Sequence, residues 1–140
     1  MFLTLNDIRE GMEATASVCL DDEAVNRFIG LTGDEAPIHV DAQAAMAMGL
    51  PGRVVHGLLA AAPLSRILGM QLPGPRTVIQ SLRLDYRKPV PVGSTVLYRV
   101  TVKRVVSAVK TVILEVRAEI GGEVAIDGTA QCTFPAGDDD

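Results

Sequence analysis

The chain has 140 residues, 48% of them apolar, and a formal net charge of −4 at neutral pH. This length suits one domain around one core, and the scarcity of aromatic residues requires that core to be aliphatic. The acidic balance argues against general nucleic-acid binding, because no basic stripe is available to neutralise phosphates. No apolar run approaches the ~20 residues of a membrane span, so no membrane association is expected.

The two cysteines, Cys19 and Cys132, are far apart in sequence and each lies in an apolar stretch. No signal peptide is recognised, so two buried reduced thiols are expected rather than a disulfide. Cysteine usage therefore predicts a soluble protein of the cytoplasm.

The N-terminal part predicts one strand followed by short helices. Residues 13–20 alternate between apolar and polar side chains, which indicates a strand. Asp21 is expected to cap a helix that Gly30 and Gly33 end, and Asp41 to cap a second, shorter helix.

Residues 56–68 have almost no polar face, which predicts a central helix that is buried nearly all round. Pro63 should kink this helix, because it removes a backbone hydrogen bond. Four segments with apolar residues at alternate positions follow, and they predict an antiparallel meander of four strands: residues 78–86, 96–102, 112–120 and 124–134.

These elements predict an α+β fold in which one antiparallel sheet wraps around a long apolar helix. Residues 1–140 are expected to form one domain, since no linker or internal repeat divides the chain. The acidic tail at 136–140 is expected to be disordered.

The segment 34–39 places an acid and an imidazole, Asp34 and His39, five positions apart. Pro37 disfavours helical geometry at Ala36, so the segment is expected to be a fixed loop. Both side chains could then converge on one water as an acid/base pair. The alternative is that Asp34 caps a turn and His39 is a satisfied polar residue, and spacing alone favours that alternative.

The dipeptide His56-Gly57 stands directly before the apolar helix. A backbone N–H at Gly57 could hold a thioester oxygen as it gains negative charge, or Gly57 could merely permit close packing; the two alternatives weigh equally. His56 is expected to be structural rather than a second base. Ser65 lies inside the apolar helix, where a bond to a preceding carbonyl is expected, and no triad order surrounds it.

Three basic residues, Arg83, Arg87 and Lys88, cluster near the end of one predicted strand. In isolation they indicate a solvated strand face. The sharper alternative is an anion site for the phosphates of a nucleotide-tailed ligand. Neither a glycine-rich phosphate loop nor a set of residues with metal-ligand spacing is present, so no metal is expected.

Three motifs in order resemble the MaoC-like, (R)-specific enoyl-CoA hydratases (hydratase 2). Residues 33–39 resemble the family's Gly-Asp-x-Asn-Pro-aliphatic-His, and residues 55–59 its Val-His-Gly-Met-Leu. Residues 87–93 resemble its Lys-Pro-Val…Gly-Asp stretch, and the likeness runs from about Glu13 to Phe134.

The resemblance implies a hot-dog fold and a substrate that is an acyl-CoA or acyl-carrier-protein thioester. It also implies a homodimer joined sheet edge to sheet edge, or a higher homo-oligomer. It implies that Asp34 and His39 activate water and that the Gly57 N–H binds the thioester carbonyl. Ser65 falls where the family often has a Ser near the site. The reaction implied is hydration of trans-2-enoyl-CoA to (R)-3-hydroxyacyl-CoA, with no cofactor besides the coenzyme A of the substrate.

Ala36 departs from the family pattern, which has Asn at that position. Losing one orienting hydrogen bond costs about 1–3 kcal/mol, which corresponds to a factor of roughly 5–150 in rate. We therefore expect reduced or altered activity. Two alternatives stay open: a hot-dog thioesterase, and a non-catalytic subunit that binds acyl thioesters.

Overall fold

One antiparallel sheet of five strands dominates the computed structural model, which describes residues 2–135. Along the sheet the strands follow the order β1-β3-β4-β5-β2. Their bounds are Glu13–Leu20 (β1), Val78–Tyr86 (β2), Ser94–Val106 (β3), Thr111–Ile120 (β4) and Glu123–Thr133 (β5). The predicted acidic tail at 136–140 lies outside the described residues.

Short helices connect β1 to β2 and lie against the sheet. Their bounds are Asp22–Thr32 (α1), Pro37–Val40 (α2), Ala42–Ala47 (α3), Gly57–Ala61 (α4) and Pro63–Met70 (α5). None of the helices within residues 2–135 combines the length and the apolar composition that crossing a lipid bilayer requires.

The helix caps form as predicted, with one difference. The Asp21 side chain accepts the Ala24 N–H at 3.0 Å, and α1 ends where Gly33 adopts a left-handed conformation with φ 73°. Gly30 does not end the helix as predicted, because it lies inside α1 and keeps helical geometry. Glycine weakens a helix interior, but it ends a helix only where it leaves the right-handed conformation.

The meander prediction holds for β3, β4 and β5 but is wrong for β2. Strand β2 pairs with β5, not with β3, and lies at the opposite edge of the sheet. Residues 87–93 cross from β2 to β3, roughly 14 Å at ~4.8 Å per strand spacing. A hydrogen bond holds this crossing against the loop before α4, since the Val55 N–H donates to the Val90 carbonyl at 2.7 Å. Period-two patterns specify a strand's face and leave its neighbour unspecified.

The predicted central helix is broken at Pro63 into α4 and α5. Leu64, Ile67 and Leu68 of α5 are fully buried beneath the sheet. The prediction of burial all round is wrong for Leu58 of α4, which is 74% exposed. The break at Pro63 leaves α4 as a separate five-residue piece that buries only its alanines at 60 and 61.

The core consists of the inner faces of the sheet packed on α5. Alternate residues of β3 and β4 are buried, as predicted from their parity. They are Val96, Tyr98, Val100, Val102, Val112, Leu114, Val116 and Ala118. Tyr98 brings the one hydroxyl into this aliphatic row and donates it to the Ala60 carbonyl at 2.6 Å. Burial raises the pKa of Tyr98, and its hydrogen bond ties the sheet to α4.

Both cysteines are free thiols, but only one of them is buried. Cys132 lies on the inner face of β5, and burial raises the pKa of its thiol to about 11. The prediction of burial is wrong for Cys19, because the alternation of β1 turns it to the outer face.

We predict that the two thiols react at very different rates with an aromatic disulfide reagent at pH 8. The exposed Cys19 should react within minutes, because the reagent can reach its sulfur directly. Cys132 should react only after unfolding in urea, since burial raises its pKa and blocks access. Cys19→Ser should abolish the fast phase; two fast thiols in the parent would contradict the fold of β5.

Candidate active site

The turn after α1 brings Asp34 and His39 to the same place. Gly33 ends α1, Asp34 follows it directly, and His39 lies in α2. Ala36 is extended before Pro37 (φ −54°, ψ 138°), as predicted. The prediction of a loop throughout is wrong, because Pro37 starts a one-turn helix at a position that needs no backbone N–H.

His39 is buried, and its ring is oriented by a main-chain bond. Its Nδ1 lies 2.7 Å from the Val54 carbonyl oxygen. Since a carbonyl can only accept, Nδ1 carries the proton and Nε2 of the neutral ring keeps a lone pair. Arg53 donates from Nε to the His39 carbonyl at 2.9 Å and pairs with Asp22 at 2.6 Å. The helical turn that carries His39 is therefore held at both its side chain and its backbone.

His56 contacts both members of the candidate pair, Asp34 and His39. Its Nε2 lies 2.8 Å from the Asp34 carbonyl oxygen, so Nε2 donates and Nδ1 is left without a proton. Its ring stacks on His39 with 3.8 Å between centroids and a 26° angle between planes. Phe28 contacts the same ring at 4.7 Å.

The Asp34 carboxylate is exposed, and its Oδ1 accepts the Ala36 N–H at 3.1 Å. One carboxylate oxygen of Asp34 and one ring nitrogen of each histidine lie within 4.8 Å of one another. A water with two hydrogen bonds of ~2.8 Å spans roughly 4.6 Å between its acceptors, which lies within the 4.8 Å limit that encloses these atoms.

The same three side chains are of types that ligate divalent cations. Each imidazole gives one nitrogen to a main-chain carbonyl and keeps the other, an arrangement that serves a bound water as well as a bound cation.

Gly57 begins α4, and the ring of Tyr86 lies over it. A Cβ at Gly57 would be 3.3 Å from Tyr86 Cε1, and the Tyr86 hydroxyl donates to the Gly57 carbonyl at 2.7 Å. The first alternative for Gly57, that it permits close packing, is therefore observed. As the first residue of a helix, Gly57 has no preceding turn to accept its N–H, so the second alternative, a donor for an oxyanion, stays compatible with the geometry.

A mainly apolar cavity of about 320 Å³ opens beside Gly57. Tyr86, Arg87 and Lys88 form part of its wall, and the remaining lining is Ile38, Leu50, Val54, Val55, Ala60, Pro89 and Val90. The cavity thus joins a backbone N–H donor to an apolar surface of the kind that a thioester-linked chain requires.

The predicted basic cluster is divided by the structure. Arg87 pairs with Asp127 at 3.0 Å, and Lys88 with Glu123 at 2.5 Å. Lys88 holds the pKa of the Glu123 carboxyl below its usual range. Arg83 is exposed on β2 and is not among the described residues that line the cavity.

The placement of Ser65 near the site stays a prediction. Ser65 is exposed on α5 and does not line the cavity beside Gly57.

Sequence reasoning missed Tyr86, which contacts Gly57, and Arg53, which contacts the His39 backbone. Tyr86 shares its strand parity with Val78, Leu82 and Leu84, and its hydroxyl at the end of this row was the available signal.

The family described as MaoC like domain matches residues 4–123. The chain belongs to this family. An (R)-specific enoyl-CoA hydratase of Rhodospirillum rubrum is 34% identical over 93% of this chain and 90% of its own length. A 3-hydroxybutyryl-CoA dehydratase of Methylorubrum extorquens is 32% identical over 95% of this chain and 85% of its own length.

Solved structures of MaoC-like proteins agree with the fold. The (R)-hydratase from A. caviae is 30% identical, with a TM-score of 0.86 over 91% of this chain and 98% of that one. An R-hydratase from Pseudomonas aeruginosa is 24% identical with a TM-score of 0.87, which supports the fold alone. The predictions of the family and of a single α+β hot-dog fold are confirmed.

We predict that alanine has different effects at two helical glycines. Gly69→Ala should stabilise the protein by about 0.5–1 kcal/mol, because a methyl there meets no atom within 4 Å and helix propensity improves. Gly57→Ala should leave the protein about 1 kcal/mol less stable than Gly69→Ala does, since its methyl presses on the Tyr86 ring. Urea denaturation measures both, and equal stabilisation would contradict the packing of Tyr86.

Proposed function

We propose that this MaoC-like protein interconverts trans-2-enoyl-CoA and (R)-3-hydroxyacyl-CoA. The observation that carries the proposal is that the Asp34 carboxylate and the His39 ring place their polar atoms within 4.8 Å of each other, close to the start of α4. The names of the relatives from R. rubrum and M. extorquens, a hydratase and a dehydratase of CoA thioesters, support it.

The proposed water is held by two acceptors. The Asp34 carboxylate accepts one of its O–H groups, and the lone pair on Nε2 of neutral His39 accepts the other. Its oxygen lone pair is then free to attack C3 of the enoyl group. Asp34 takes the proton as the C3–O bond forms, and His39 fixes the direction of attack.

The π electrons of the C2=C3 bond move toward C1, so negative charge develops on the thioester oxygen. The Gly57 N–H stabilises that charge, and the enolate is protonated at C2 by the proton that the water released, with His39 sharing in its delivery. The carboxylate is regenerated, H and OH have been added, and dehydration is the reverse path. The steps require neither a metal nor a redox cofactor.

Arg83, Arg87 and Lys88 are proposed to bind the phosphates of the CoA carrier. Arg87 and Lys88 flank the cavity but are paired with carboxylates. Exposed pairs of this kind are worth about 0–1 kcal/mol, so phosphates can replace the carboxylates at low cost. An acyl carrier protein, whose phosphopantetheine bears a phosphate, remains the alternative carrier.

Two hydrogen bonds, each between a main-chain group and a side chain, hold the loop that lacks the family Asn. The Ala36 N–H donates to the Asp34 carboxylate, and the Asp34 carbonyl accepts from His56. Neither bond needs a side-chain amide at Ala36. This favours an active enzyme over the non-catalytic acyl-binding alternative.

Assembly of a homodimer through β2 forms part of the proposal. This edge strand has exposed apolar side chains, and its outer backbone groups pair with no strand within residues 2–135. The exposed residues are Val78, Ile79, Leu82 and Tyr86. Because Tyr86 also contacts Gly57, a partner at this edge would lie beside the cavity.

The catalytic roles are tested by the loss of enoyl-thioester absorbance after crotonyl-CoA is added. Asp34→Asn and His39→Gln should each lower kcat about 100-fold or more, because each removes an acceptor of the water. Glu35→Gln is the matched control, since it removes the same charge from the neighbouring exposed residue.

Equal rates in the parent and both site variants would overturn the assigned roles. Release of free thiol without loss of the double bond would identify a thioesterase instead. Saturable binding of crotonyl-CoA without turnover would identify the non-catalytic subunit.

We predict that Leu82→Asp makes the protein monomeric, because a carboxylate at the β2 edge cannot be buried against a partner. Light scattering should give twice the chain mass of 14.8 kDa for the parent and the chain mass itself for the variant. Leu31→Asp is the control, since Leu31 is 84% exposed on α1. A monomeric parent, or dimers of both variants, would contradict assembly through β2.

A further inference from the structure

We infer that His56 is a positioning residue that sets the distance between the activated water and the N–H group of Gly57. The inference rests on the proposed function, since it concerns the same site. His56 contacts Asp34 with its side chain, stacks on His39, and is covalently joined to Gly57.

The hydrogen bond of His56 restrains the backbone of Asp34. Its Nε2–H donates to the Asp34 carbonyl at 2.8 Å, whereas the Asp34 carboxylate itself is exposed. A carboxylate on an exposed turn has a fixed position only when its main chain is held. The bond from His56, together with the Ala36 N–H at Oδ1, provides that restraint.

The stacking contact restrains His39. The bond from Nδ1 to the Val54 carbonyl fixes one edge of the ring but leaves rotation about that bond. Contact with the face of His56, 3.8 Å away, removes this freedom. Phe28 contacts the His56 ring in turn, so the His56 ring is itself held in position.

The third restraint acts on α4. The His56 carbonyl accepts the Ala60 N–H at 2.8 Å and so starts the helix in which Gly57 is the first residue. One residue therefore connects the water-holding pair to the proposed oxyanion donor. A shift of His56 would change the separation of these two groups, and misplacement of about 1 Å costs roughly 100-fold in rate.

His56 is not a second base. The residue is 2% exposed, Nε2 is committed to a carbonyl, and Nδ1 is enclosed with no hydrogen-bond partner among the described residues. An enclosed nitrogen cannot exchange a proton with a substrate. Burying it costs free energy that an aliphatic side chain would not, so the contacts to Asp34 and His39 are the compensating gain.

Two variants separate the two contacts. His56→Phe keeps a ring over His39 but removes the donor to Asp34, and His56→Gln keeps an N–H donor but removes the ring. Each should lower kcat for crotonyl-CoA hydration about tenfold or more and leave KM within about threefold, because neither removes a substrate contact. Val25→Ala, a core change on α1, controls for lost stability and should change kcat little.

A second readout is independent of activity. The chain has two histidines, so ¹⁵N-histidine NMR of either variant shows His39 alone. The parent should show His39 protonated at Nδ1. His56→Phe should retain that spectrum, and His56→Gln should broaden the Nε2 signal, because the ring can then turn about its bond to the Val54 carbonyl.

The outcomes distinguish this inference from the proposed function. An unchanged His39 spectrum in His56→Gln, or a kcat loss no greater than that of Val25→Ala at equal melting temperature, overturns the positioning role. If the parent fails to hydrate crotonyl-CoA while the His39 spectra change as expected, the proposed reaction is wrong and the positioning role stands.

Discussion

The hydrogen bond from His56 to the Asp34 carbonyl joins two segments that are 22 residues apart, and the rest of the site depends on it. Through this bond the loop after α1 is placed against the start of α4. The ring that donates it also supports His39. A main-chain acceptor and an imidazole donor therefore organise the site, and the exposed carboxylate of Asp34 is left to interact with water.

The curled sheet determines where this junction lies. Strands β1, β2 and β3 contact α5, and the break at Pro63 leaves α4 at the border of the core. The crossing from β2 to β3 then passes beside α4 and supplies one wall of the cavity. A continuous, fully buried helix would have enclosed Gly57, whereas the broken helix leaves it accessible.

The substitution of the family Asn by Ala36 loses less than its position in the motif suggests. The backbone N–H of Ala36 still bonds the Asp34 carboxylate, and the bond from His56 restrains the same turn. The orienting function expected of an amide side chain is thus shared between a main-chain group and a buried imidazole. For this reason the structure supports the catalytic proposal, which the names of the relatives support as well.

Local chemistry by itself determined the faces of β1, β3 and β4, the caps at Asp21 and Asp41, and the break at Pro63, because each depends on neighbours within a few residues. The motif order also identified the family, which the match over residues 4–123 confirms. Only the tertiary structure decided that β2 pairs with β5, that Ser65 is exposed on α5, and that Tyr86 packs on Gly57. Those features depend on which segments meet across the fold, and a period of two or 3.6 residues carries no information about partners.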